Sequence, residues 1–484
     1  MNKELKRVSV VVLALFIALM VSTTTIQFAQ KSNLAADPRN SRVLLDSYDT
    51  ERGAILAGDE VIAQSVPTDD TFKYQRVYAQ GPLYAPITGY FNPMQGSSGL
   101  ERSMNDVLSG RDNTQFFDSL NRILTGQAPK GGTVQTTIDP DIQRAAADAL
   151  GGRQGAIVAM EPATGRILAM TTSPDYDPNE LASHDADAVK GRYAELLADP
   201  TEPLINRATG GGLNPPGSAF KIVVVAAAFA SGDYTAASTL PNPASMTLPG
   251  TSTKVYNWTR AACGPGDEVT IAEAIRQSCN IPLAELAIRL GYPAIKEQAE
   301  KFGFNQELGI PTSTTPSVYP PTANDAELGL SGFGQMNVRS SPLQMAMMSA
   351  AIGNDGVLMK PTLVDHVIGS SLDVLAPFSA EELRETVSPE VAAELTKVMV
   401  AGVANGQASN ARIGGVDVAG KTGTAQNGDN EPYTLWFTGF APAENPDVAV
   451  AVVLENDAGL GHHSSGNLSA APIARKVIEA VLNK

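Results

Sequence analysis

The chain has 484 residues, and its 35 Lys and Arg residues against 51 Asp and Glu residues give a formal net charge of −16. At roughly 150 residues per domain, this length allows about three domains and a large buried core. The 43% hydrophobic and 18% charged residues argue against disorder and against a multi-span membrane protein. Nucleic-acid binding is disfavoured because it needs clustered Lys and Arg. Two cysteines and four histidines are too few for a disulfide scaffold or a Cys-based zinc site.

One N-terminal segment is strongly apolar, residues 8–21, and three basic residues precede it, Lys3, Lys6 and Arg7. A basic flank followed by an apolar run is typical of an export signal. The weakly polar residues that follow extend the segment to about 20 residues, which is enough to cross a membrane. We interpret residues 1–30 as a cytoplasmic tip and retained signal anchor, with a cleaved signal peptide as the alternative. The positive-inside rule then places the rest of the chain outside the cytoplasm.

The next part of the chain predicts two extramembrane domains. Residues 35–130 are polar and turn-rich, which is typical of a small accessory domain. Gly131 and Gly132 mark a boundary, and a strand and then a helix opened by Asp139-Pro140 are predicted to follow. We therefore expect an N-terminal pedestal over residues 35–130 and a larger domain over residues 131–484.

The larger domain has strand signals at both ends and helical signals between them. Two apolar runs around a five-residue turn predict a hairpin, residues 155–160 and 166–171. Two more apolar runs lie near the other end, residues 435–441 and 448–454. The helical segments are residues 220–230, 271–290, 343–352 and 470–482. This order predicts an α+β domain whose antiparallel sheet is completed by distant segments of the chain.

The sequence Asn214-Pro-Pro-Gly-Ser-Ala-Phe-Lys221 precedes an unbroken apolar run over residues 222–230. Pro-Pro-Gly ends the preceding element, so a helix is predicted to begin near Ser218 and to be buried on all sides. Ser218 and Lys221 are three residues apart and share one helical face. Burial lowers the pKa of a lysine, which suits it to act as base for a serine nucleophile. The alternative is a chance pairing with a lysine that reaches solvent.

Two further short motifs follow in the chain. Ser278-Cys279-Asn280 lies in a predicted non-helical joint, where Ser278 and Asn280 point to one side and offer a hydroxyl and an amide. Lys421-Thr422-Gly423-Thr424 follows strand-like residues. Lysine and threonine side chains suit a carboxylate, and the missing side chain of Gly423 allows a ligand to approach the strand closely. Alone, each motif is also compatible with an ordinary joint or edge strand.

Ser-x-x-Lys, Ser-x-Asn and Lys-Thr-Gly occur here in the order shared by class A β-lactamases and penicillin-binding proteins. Further matches are Thr137-Ile-Asp-Pro-Asp-Ile-Gln143, Thr164-Gly-Arg-Ile-Leu-Ala-Met170, Gly332-Phe-Gly-Gln335, Arg52-Gly-Ala-Ile55 and Gly99-Leu-Glu101. With these residues the chain resembles the class B, monofunctional penicillin-binding proteins, in particular the penicillin-binding protein A group. The resemblance implies the serine penicillin-recognising, β-lactamase-like fold, with helices on both faces of an antiparallel sheet.

The resemblance implies a D,D-transpeptidase that cross-links peptidoglycan stem peptides without a cofactor and is inhibited covalently by β-lactams. Ser218 would attack the penultimate D-Ala carbonyl, and Lys221 would take its proton. The backbone N–H groups of Ser218 and Thr424 would form the oxyanion hole. Ser278 would pass a proton to the leaving D-Ala, and Asn280 would bind the acyl-side amide.

The third motif would bind the donor's terminal carboxylate through Lys421, Thr422 and Thr424.

Cys279 stands where many relatives carry Asp, and Cys263 precedes it by a short loop. Because the resemblance places both outside the cytoplasm, where disulfides persist, we predict a Cys263–Cys279 disulfide worth about 3 kcal/mol.

Several alternatives share these features. A β-lactamase would need a glutamate that activates water, in a Glu-x-x-Leu-Asn pattern that occurs only at Glu479-Ala-Val-Leu-Asn483, after all three motifs. A D,D-carboxypeptidase differs only in using water as acceptor. A β-lactam sensor and a mainly scaffolding division or elongation protein are further alternatives that stay open.

His462 and His463 beside Asp457 are interpreted as a rim loop rather than a metal site. We expect partners among cell-wall synthesis or division proteins; the sequence leaves open the stem-peptide chemistry, a septal or lateral role and the oligomeric state.

Overall fold

The structure is a computed structural model that describes residues 3–26, 50–70, 72–112, 130–369, 373–428, 431–456 and 463–484. Its α-helices are α1 Lys3–Thr24, α2 Gly81–Thr88, α3 Gly99–Ser103, α4 Asn105–Leu108, α5 Pro140–Leu150, α6 Pro178–Leu181, α7 Ala186–Ala198, α8 Lys221–Ala230, α9 Ile271–Arg276, α10 Ile281–Leu290, α11 Tyr292–Lys301, α12 Asp325–Ser331, α13 Pro342–Gly353, α14 Pro389–Asn405 and α15 Ala471–Leu482. Shorter helical turns lie at Gly217–Phe220, Ser409–Ala411 and Gly466–Ala470.

The strands are β1 Ile55–Ala57, β2 Glu60–Pro67, β3 Tyr74–Tyr78, β4 Phe91–Asn92, β5 Gly96–Ser97, β6 Thr133–Thr136, β7 Gly155–Met160, β8 Ile167–Ser173, β9 Thr239–Pro241, β10 Ser245–Thr247, β11 Lys254–Tyr256, β12 Glu268–Thr270, β13 Val357–Met359, β14 Val364–Ile368, β15 Val374–Ala376, β16 Glu382–Glu385, β17 Ala419–Ala425, β18 Thr434–Ala441 and β19 Val448–Leu454.

A five-stranded antiparallel sheet has the order β17-β18-β19-β7-β8. Strands from the two ends of the larger domain therefore meet in one sheet, with Ala449 opposite Met160 and Leu454 opposite Gly155. The predicted hairpin and the predicted completion of the sheet by distant segments are confirmed.

Helices cover both faces of this sheet. On one face α13 packs against β7, β18 and β19, and on the other α5 and α15 pack against β8 and β19. Along β7, Ala156 and Val158 belong to the first core and Ile157 and Ala159 to the second. A sheet buried on both faces needs a continuous apolar sequence, which explains the runs in β7, β18 and β19. The predicted α+β fold with helices on both faces is confirmed.

A second sheet of six strands has the order β15-β14-β6-β1-β2-β3. Strand β6 pairs parallel with β1 and antiparallel with β14. The sequence places β6, β14 and β15 in the second domain, whereas β1 to β3 come from the predicted pedestal. The two parts of the chain thus share one sheet.

The N-terminal helix α1 stands apart from this core. It has 22 residues, none of them buried, and it is the helix among those described that is long and apolar enough to cross a membrane. Its exposed apolar surface supports the predicted membrane anchor.

Candidate active site

Ser218 lies in the tight 3₁₀ turn Gly217–Phe220, which leads directly into α8. The turn begins at Gly217 with a φ of 54°, a value that favours glycine. Residues three apart in a 3₁₀ turn lie above one another, so Ser218 and Lys221 keep the shared face that the sequence predicts. Helix α8 is buried from Lys221 to Phe229, as expected for an apolar run.

Lys221 is completely buried, with 0% of its surface exposed. Its Nζ donates hydrogen bonds to the carbonyl oxygen of Ser278 at 2.7 Å and to Oδ1 of Asn280 at 2.8 Å. Burial, and then the charge of Lys421, hold the pKa of Lys221 well below its ordinary value. Within the described residues, no carboxylate pairs with this lysine. Burial therefore favours the neutral form of the amine, which is the form that a base requires.

Ser278 and Asn280 lie in a non-helical joint between α9 and α10. Ser278 has a left-handed backbone with a φ of 58°, which is uncommon for a residue other than glycine. The side chain of Asn257 holds the joint, because its Oδ1 accepts from the backbone N of Asn280 at 2.8 Å and of Ile281 at 3.0 Å. Asn280 itself donates from Nδ2 to the carbonyl oxygen of Tyr256 at 3.0 Å. The joint is thus fixed on both sides.

A disulfide joins Cys263 to Cys279, with 6.0 Å between the two Cα atoms. Both residues are 4% exposed. The bond ties the joint to the loop that carries Asn257 and Trp258. The predicted disulfide is present in the structure.

Strand β17 brings Lys421 to the same joint. Its Nζ donates to Oγ of Ser278 at 2.7 Å and to the carbonyl oxygen of Thr422 at 2.9 Å. Lys421 is 2% exposed, and burial lowers its pKa to about 7. Ser278 therefore lies between two buried lysines, with Lys221 on its carbonyl oxygen and Lys421 on its hydroxyl.

The two threonines of the third motif are hydrogen bonded to neighbouring segments. The Thr422 hydroxyl donates to the carbonyl oxygen of Gln407 at 2.8 Å, and the Thr424 hydroxyl accepts from the backbone N of Gly466 at 3.1 Å. Thr422 must rotate its hydroxyl before it can donate to a ligand, whereas Thr424 still has its proton to donate.

The structure corrects the expectation for Gly423. A side chain at this position would meet the carbonyl oxygen of Pro216 and would lie 3.0 Å from Cβ of Trp436. The space is thus filled by the turn that carries Ser218, not left open for a ligand. Trp436 on β18 donates from Nε1 to the carbonyl oxygen of Pro215 at 2.9 Å. Glycine is needed because β17 packs directly against the Ser218 turn.

These groups surround a cavity of about 760 Å³. Its lining includes five of the predicted catalytic and substrate-binding residues, Ser218, Ser278, Asn280, Thr422 and Thr424. No Asp or Glu is among the described residues that line it, whereas Lys254 and Arg260 are. In a chain with a net charge of −16, this local positive charge favours an anionic ligand.

Sequence reasoning missed many lining residues, among them Asn257, Trp258, Gln407 and Tyr433. Trp258 is 56% exposed, and its ring lies edge-on to Tyr433 with 6.1 Å between centroids. An Asn-Trp pair after a short strand is a weak signal, and the pairing with Tyr433 is visible only in the folded chain.

No cluster of three His, Cys, Asp or Glu residues that could hold a metal ion occurs in the described part of the chain. His462 and Asp457 lie outside the described residues.

The family model described as the penicillin-binding protein transpeptidase domain matches residues 155–479. The chain belongs to the penicillin-binding protein family. A second model, the penicillin-binding protein A dimerisation domain, matches residues 52–134 of this penicillin-binding protein. The resemblance to class B members of the A group is confirmed.

Two relatives are similar in sequence to this penicillin-binding protein over its full length. The peptidoglycan D,D-transpeptidase PbpA of Mycolicibacterium smegmatis is 42% identical over 493 residues, covering 100% of both chains. PbpA of Mycobacterium tuberculosis is 41% identical over 496 residues, covering 100% of this chain and 99% of the relative. The solved structure of M. tuberculosis penicillin-binding protein A as a ceftriaxone acyl-enzyme has a TM-score of 0.86 and 40% identity, and the match covers 90% of this chain and 100% of that one.

Proposed function

We propose that this penicillin-binding protein is a peptidoglycan D,D-transpeptidase that works through an acyl-enzyme on Ser218 and is inhibited covalently by β-lactams. The observation that carries the proposal is Ser278, hydrogen bonded to two buried lysines beside the Ser218 turn. The solved acyl-enzyme complexes of the similar M. tuberculosis protein with ceftriaxone, imipenem and penicillin G support it.

Lys221 acts as the base that activates Ser218. A neutral amine has two N–H bonds and one lone pair. Its two N–H bonds are donated to the Ser278 carbonyl and to Asn280, which leaves the lone pair to accept the Ser218 proton. Because burial favours the neutral amine, this transfer needs no negative partner.

The Ser218 oxygen then bonds to the penultimate D-Ala carbonyl carbon of the donor stem. The backbone N–H groups of Ser218 and Thr424 stabilise the oxyanion. As the amide bond breaks, the leaving D-Ala nitrogen takes a proton from the Ser278 hydroxyl, which recovers one from its hydrogen-bond donor Lys421. Lys221 keeps the Ser218 proton until the ester is displaced. Asn280 binds the acyl-side amide.

Lys421, Thr422 and Thr424 hold the terminal carboxylate of the donor. Lys421 is 2% exposed, so a charge-assisted hydrogen bond to a carboxylate there is stronger than in water. Bound carboxylate also favours the protonated lysine. Gly423 contributes to carboxylate binding indirectly, because it lets β17, which carries these residues, approach the Ser218 turn.

An amine of a second stem completes the reaction: its nitrogen bonds to the acyl carbon, the ester bond to Ser218 breaks, and the Ser218 oxygen takes back the proton held by Lys221. The proton of the amine passes through the Ser278 hydroxyl to Lys421. The described residues that line the cavity include no carboxylate to activate water, which favours a transpeptidase over a class A hydrolase. A D,D-carboxypeptidase, with water as acceptor, is the second candidate on the same site.

We also propose the cellular arrangement. Residues 1–30 form a cytoplasmic tip and membrane anchor, residues 35–130 a pedestal, and residues 131–484 the transpeptidase domain outside the cytoplasm. The exposed apolar surface of α1 supports the anchor. Cell-wall synthesis or division proteins are the expected partners of the anchor and pedestal.

The test compares Ser218→Ala with Ser252→Ala, which changes an exposed serine in the turn between β10 and β11. We expect Ser218→Ala to lose labelling by fluorescent penicillin and to fail to replace the wild-type protein in cells. Ser252→Ala should do both as well as wild type. Cell-wall function that survives Ser218→Ala would show a scaffolding protein instead.

A further inference from the structure

Two arginines share one carboxylate in the interior of the pedestal. The Glu101 carboxylate accepts from Nε of Arg52 at 2.6 Å and from Nε of Arg76 at 2.5 Å. Arg52 is 5% exposed, Arg76 4% and Glu101 0%. One carboxylate offsets only one of the two guanidinium groups, so this buried cluster keeps one positive charge. A buried charge without a counterion is costly, and burial lowers the pKa of Arg52 even beside Glu101.

Both guanidinium groups have donors left over, because each has five N–H bonds. Nε of Arg76 is taken by Glu101. Its Nη1 donates to the carbonyl oxygens of Arg52 at 3.3 Å and of Gly53 at 2.8 Å. Its Nη2 is buried and has no hydrogen-bond partner among the described residues. Arg52 donates twice to Glu101 and once to Oδ1 of Asn105, which leaves two of its N–H bonds without a partner.

A cavity of about 230 Å³, the pedestal cavity, lies against this cluster. Arg52 lines it, and the guanidinium carbon of Arg52 lies 4.0 Å from the centre of the Phe91 ring, which fixes the plane of the group. A side cavity of about 10 Å³ is lined by Arg76 and shares Thr50, Arg52 and Phe91 with the larger one. This side cavity has about the room that one water oxygen needs. Because Nε and Nη1 of Arg76 have partners, Nη2 is the nitrogen left to donate there.

The rest of the pedestal cavity is polar. Arg111 lines it and forms no ion pair within the described part of the chain. The neutral hydrogen-bonding side chains of the lining are Thr50, Asn92, Ser97, Asn105 and Ser109.

No carboxylate opposes these positive charges in the lining. Neither cavity has an Asp or Glu among its described lining residues. Glu51, the neighbour of Thr50, is paired with Lys130 at 3.2 Å. The buried cluster and Arg111 thus present two uncompensated positive charges beside hydroxyl and amide donors, which favours an anion with several oxygens.

We propose that the pedestal cavity binds a phosphate monoester group. Such a group carries close to two negative charges at neutral pH and has three strong acceptor oxygens, so it matches both the charge and the unused donors. A carboxylate has one charge and two oxygens, and it would leave one positive charge unmatched. The site is independent of the reaction proposed at Ser218. Because it binds only the folded pedestal, the phosphate also stabilises the pedestal.

The test is equilibrium dialysis of the full-length protein, in uncharged detergent, against radiolabelled inorganic phosphate at mildly alkaline pH and constant ionic strength. We expect one saturable site per chain. Arg111→Gln removes an exposed charge from the cavity and should raise the dissociation constant about fivefold, the upper end for an exposed ion pair. Arg76→Lys removes Nη2 and should weaken binding further. If circular dichroism shows that Arg76→Lys is unfolded, Arg111→Gln alone decides.

Two matched controls remove an arginine charge elsewhere. Arg289 lies on α10 and lines neither cavity, so Arg289→Gln should bind phosphate like wild type. Arg260→Gln removes a charge from the catalytic cavity, the other positively charged space. Binding that is lost in Arg260→Gln and kept in Arg111→Gln would place the anion in the catalytic cavity and overturn the proposal.

Three further results would overturn it. An equal loss in Arg289→Gln and Arg111→Gln would show a nonspecific charge effect. Binding that every variant keeps would lie outside the pedestal cavity. Absence of saturable binding would show that water or another part of the chain already satisfies the arginines.

Competition for the labelled phosphate identifies the source of the group. Glycerol 3-phosphate and dihexanoyl phosphatidic acid carry the same phosphate monoester, one on a soluble molecule and one on a lipid. We expect both to displace the label. Displacement at similar concentrations indicates a soluble ester, whereas an advantage of about tenfold or more for the lipid indicates a membrane headgroup. If neither displaces the label, the site accepts only the free ion, and the proposed ester is wrong.

Discussion

Two buried lysines meet at one serine in this site. Lys221 donates to the carbonyl oxygen of Ser278 and Lys421 to its hydroxyl. The sequence predicted the residues, because Ser-x-x-Lys at a helix start and Lys-Thr-Gly on a strand are local patterns. It could not predict that both lysines converge on Ser278, because that requires the pairing of segments far apart in the chain. Asn257, which holds the joint, belongs to no recognisable pattern.

The lowered pKa values of the two lysines predict the pH dependence of acylation. Lys221 must be neutral, so kcat/KM rises with pH through its lowered pKa. Lys421 must be protonated, so kcat/KM falls as pH rises through about 7. In Lys421→Arg the guanidinium stays protonated, and the fall above neutral pH should disappear even if the overall rate drops. The measurement is benzylpenicillin acylation against pH, which reports groups of the free enzyme; an unchanged fall in the variant would contradict this assignment.

At the scale of elements, the contact between β17 and the Ser218 turn sets the catalytic geometry. The residue pattern predicted strand β17 and the helix that begins near Ser218. It also led to the expectation that Gly423 lets a ligand approach the strand. The folded chain shows that Pro216 and Trp436 occupy that space. Such a contact has no local sequence signal, because a glycine in a strand does not indicate which distant segment packs against it. By the loop-entropy model, the Cys263–Cys279 disulfide contributes about 3 kcal/mol to the free energy of unfolding. It also holds in place the joint that carries Ser278 and Asn280.

Gly423→Ala tests this contact. The added methyl group must push β17 away from the Ser218 turn, and a displacement of about 1 Å can cost about 10²-fold in rate. We expect the benzylpenicillin acylation rate to fall by about that factor in protein that circular dichroism shows to be folded. Gly414→Ala is the control, because a methyl group there meets no atom within 4 Å. Equal rates for Gly423→Ala and wild type would show that the contact does not position the nucleophile.

At the scale of the whole molecule, pedestal and transpeptidase parts share the six-stranded sheet. Strand β6 lies between β1 and β14, and one hydrophobic cluster includes Ile55, Val134 and Val453. The sequence predicted two domains from composition and glycines. It also predicted an antiparallel sheet completed by distant segments, because β7, β8, β18 and β19 are apolar runs. Short β14 and β15 carry no signal for their distant partners.

The shared sheet predicts cooperative unfolding. Separating the pedestal would break the β1–β6 pairing and expose part of the common core, so neither part should unfold alone. Differential scanning calorimetry of the full-length protein in detergent should give a single transition. Two well-separated transitions would indicate that the pedestal and the transpeptidase part are independently stable.

Intact mass spectrometry after treatment with benzylpenicillin shows whether Ser218 forms a stable acyl-enzyme. We expect one adduct with the mass of the intact drug, found on the peptide that contains Ser218 and lost slowly. An adduct on another peptide, or no adduct, would contradict Ser218 as the nucleophile, and rapid loss would show a β-lactamase in place of a transpeptidase.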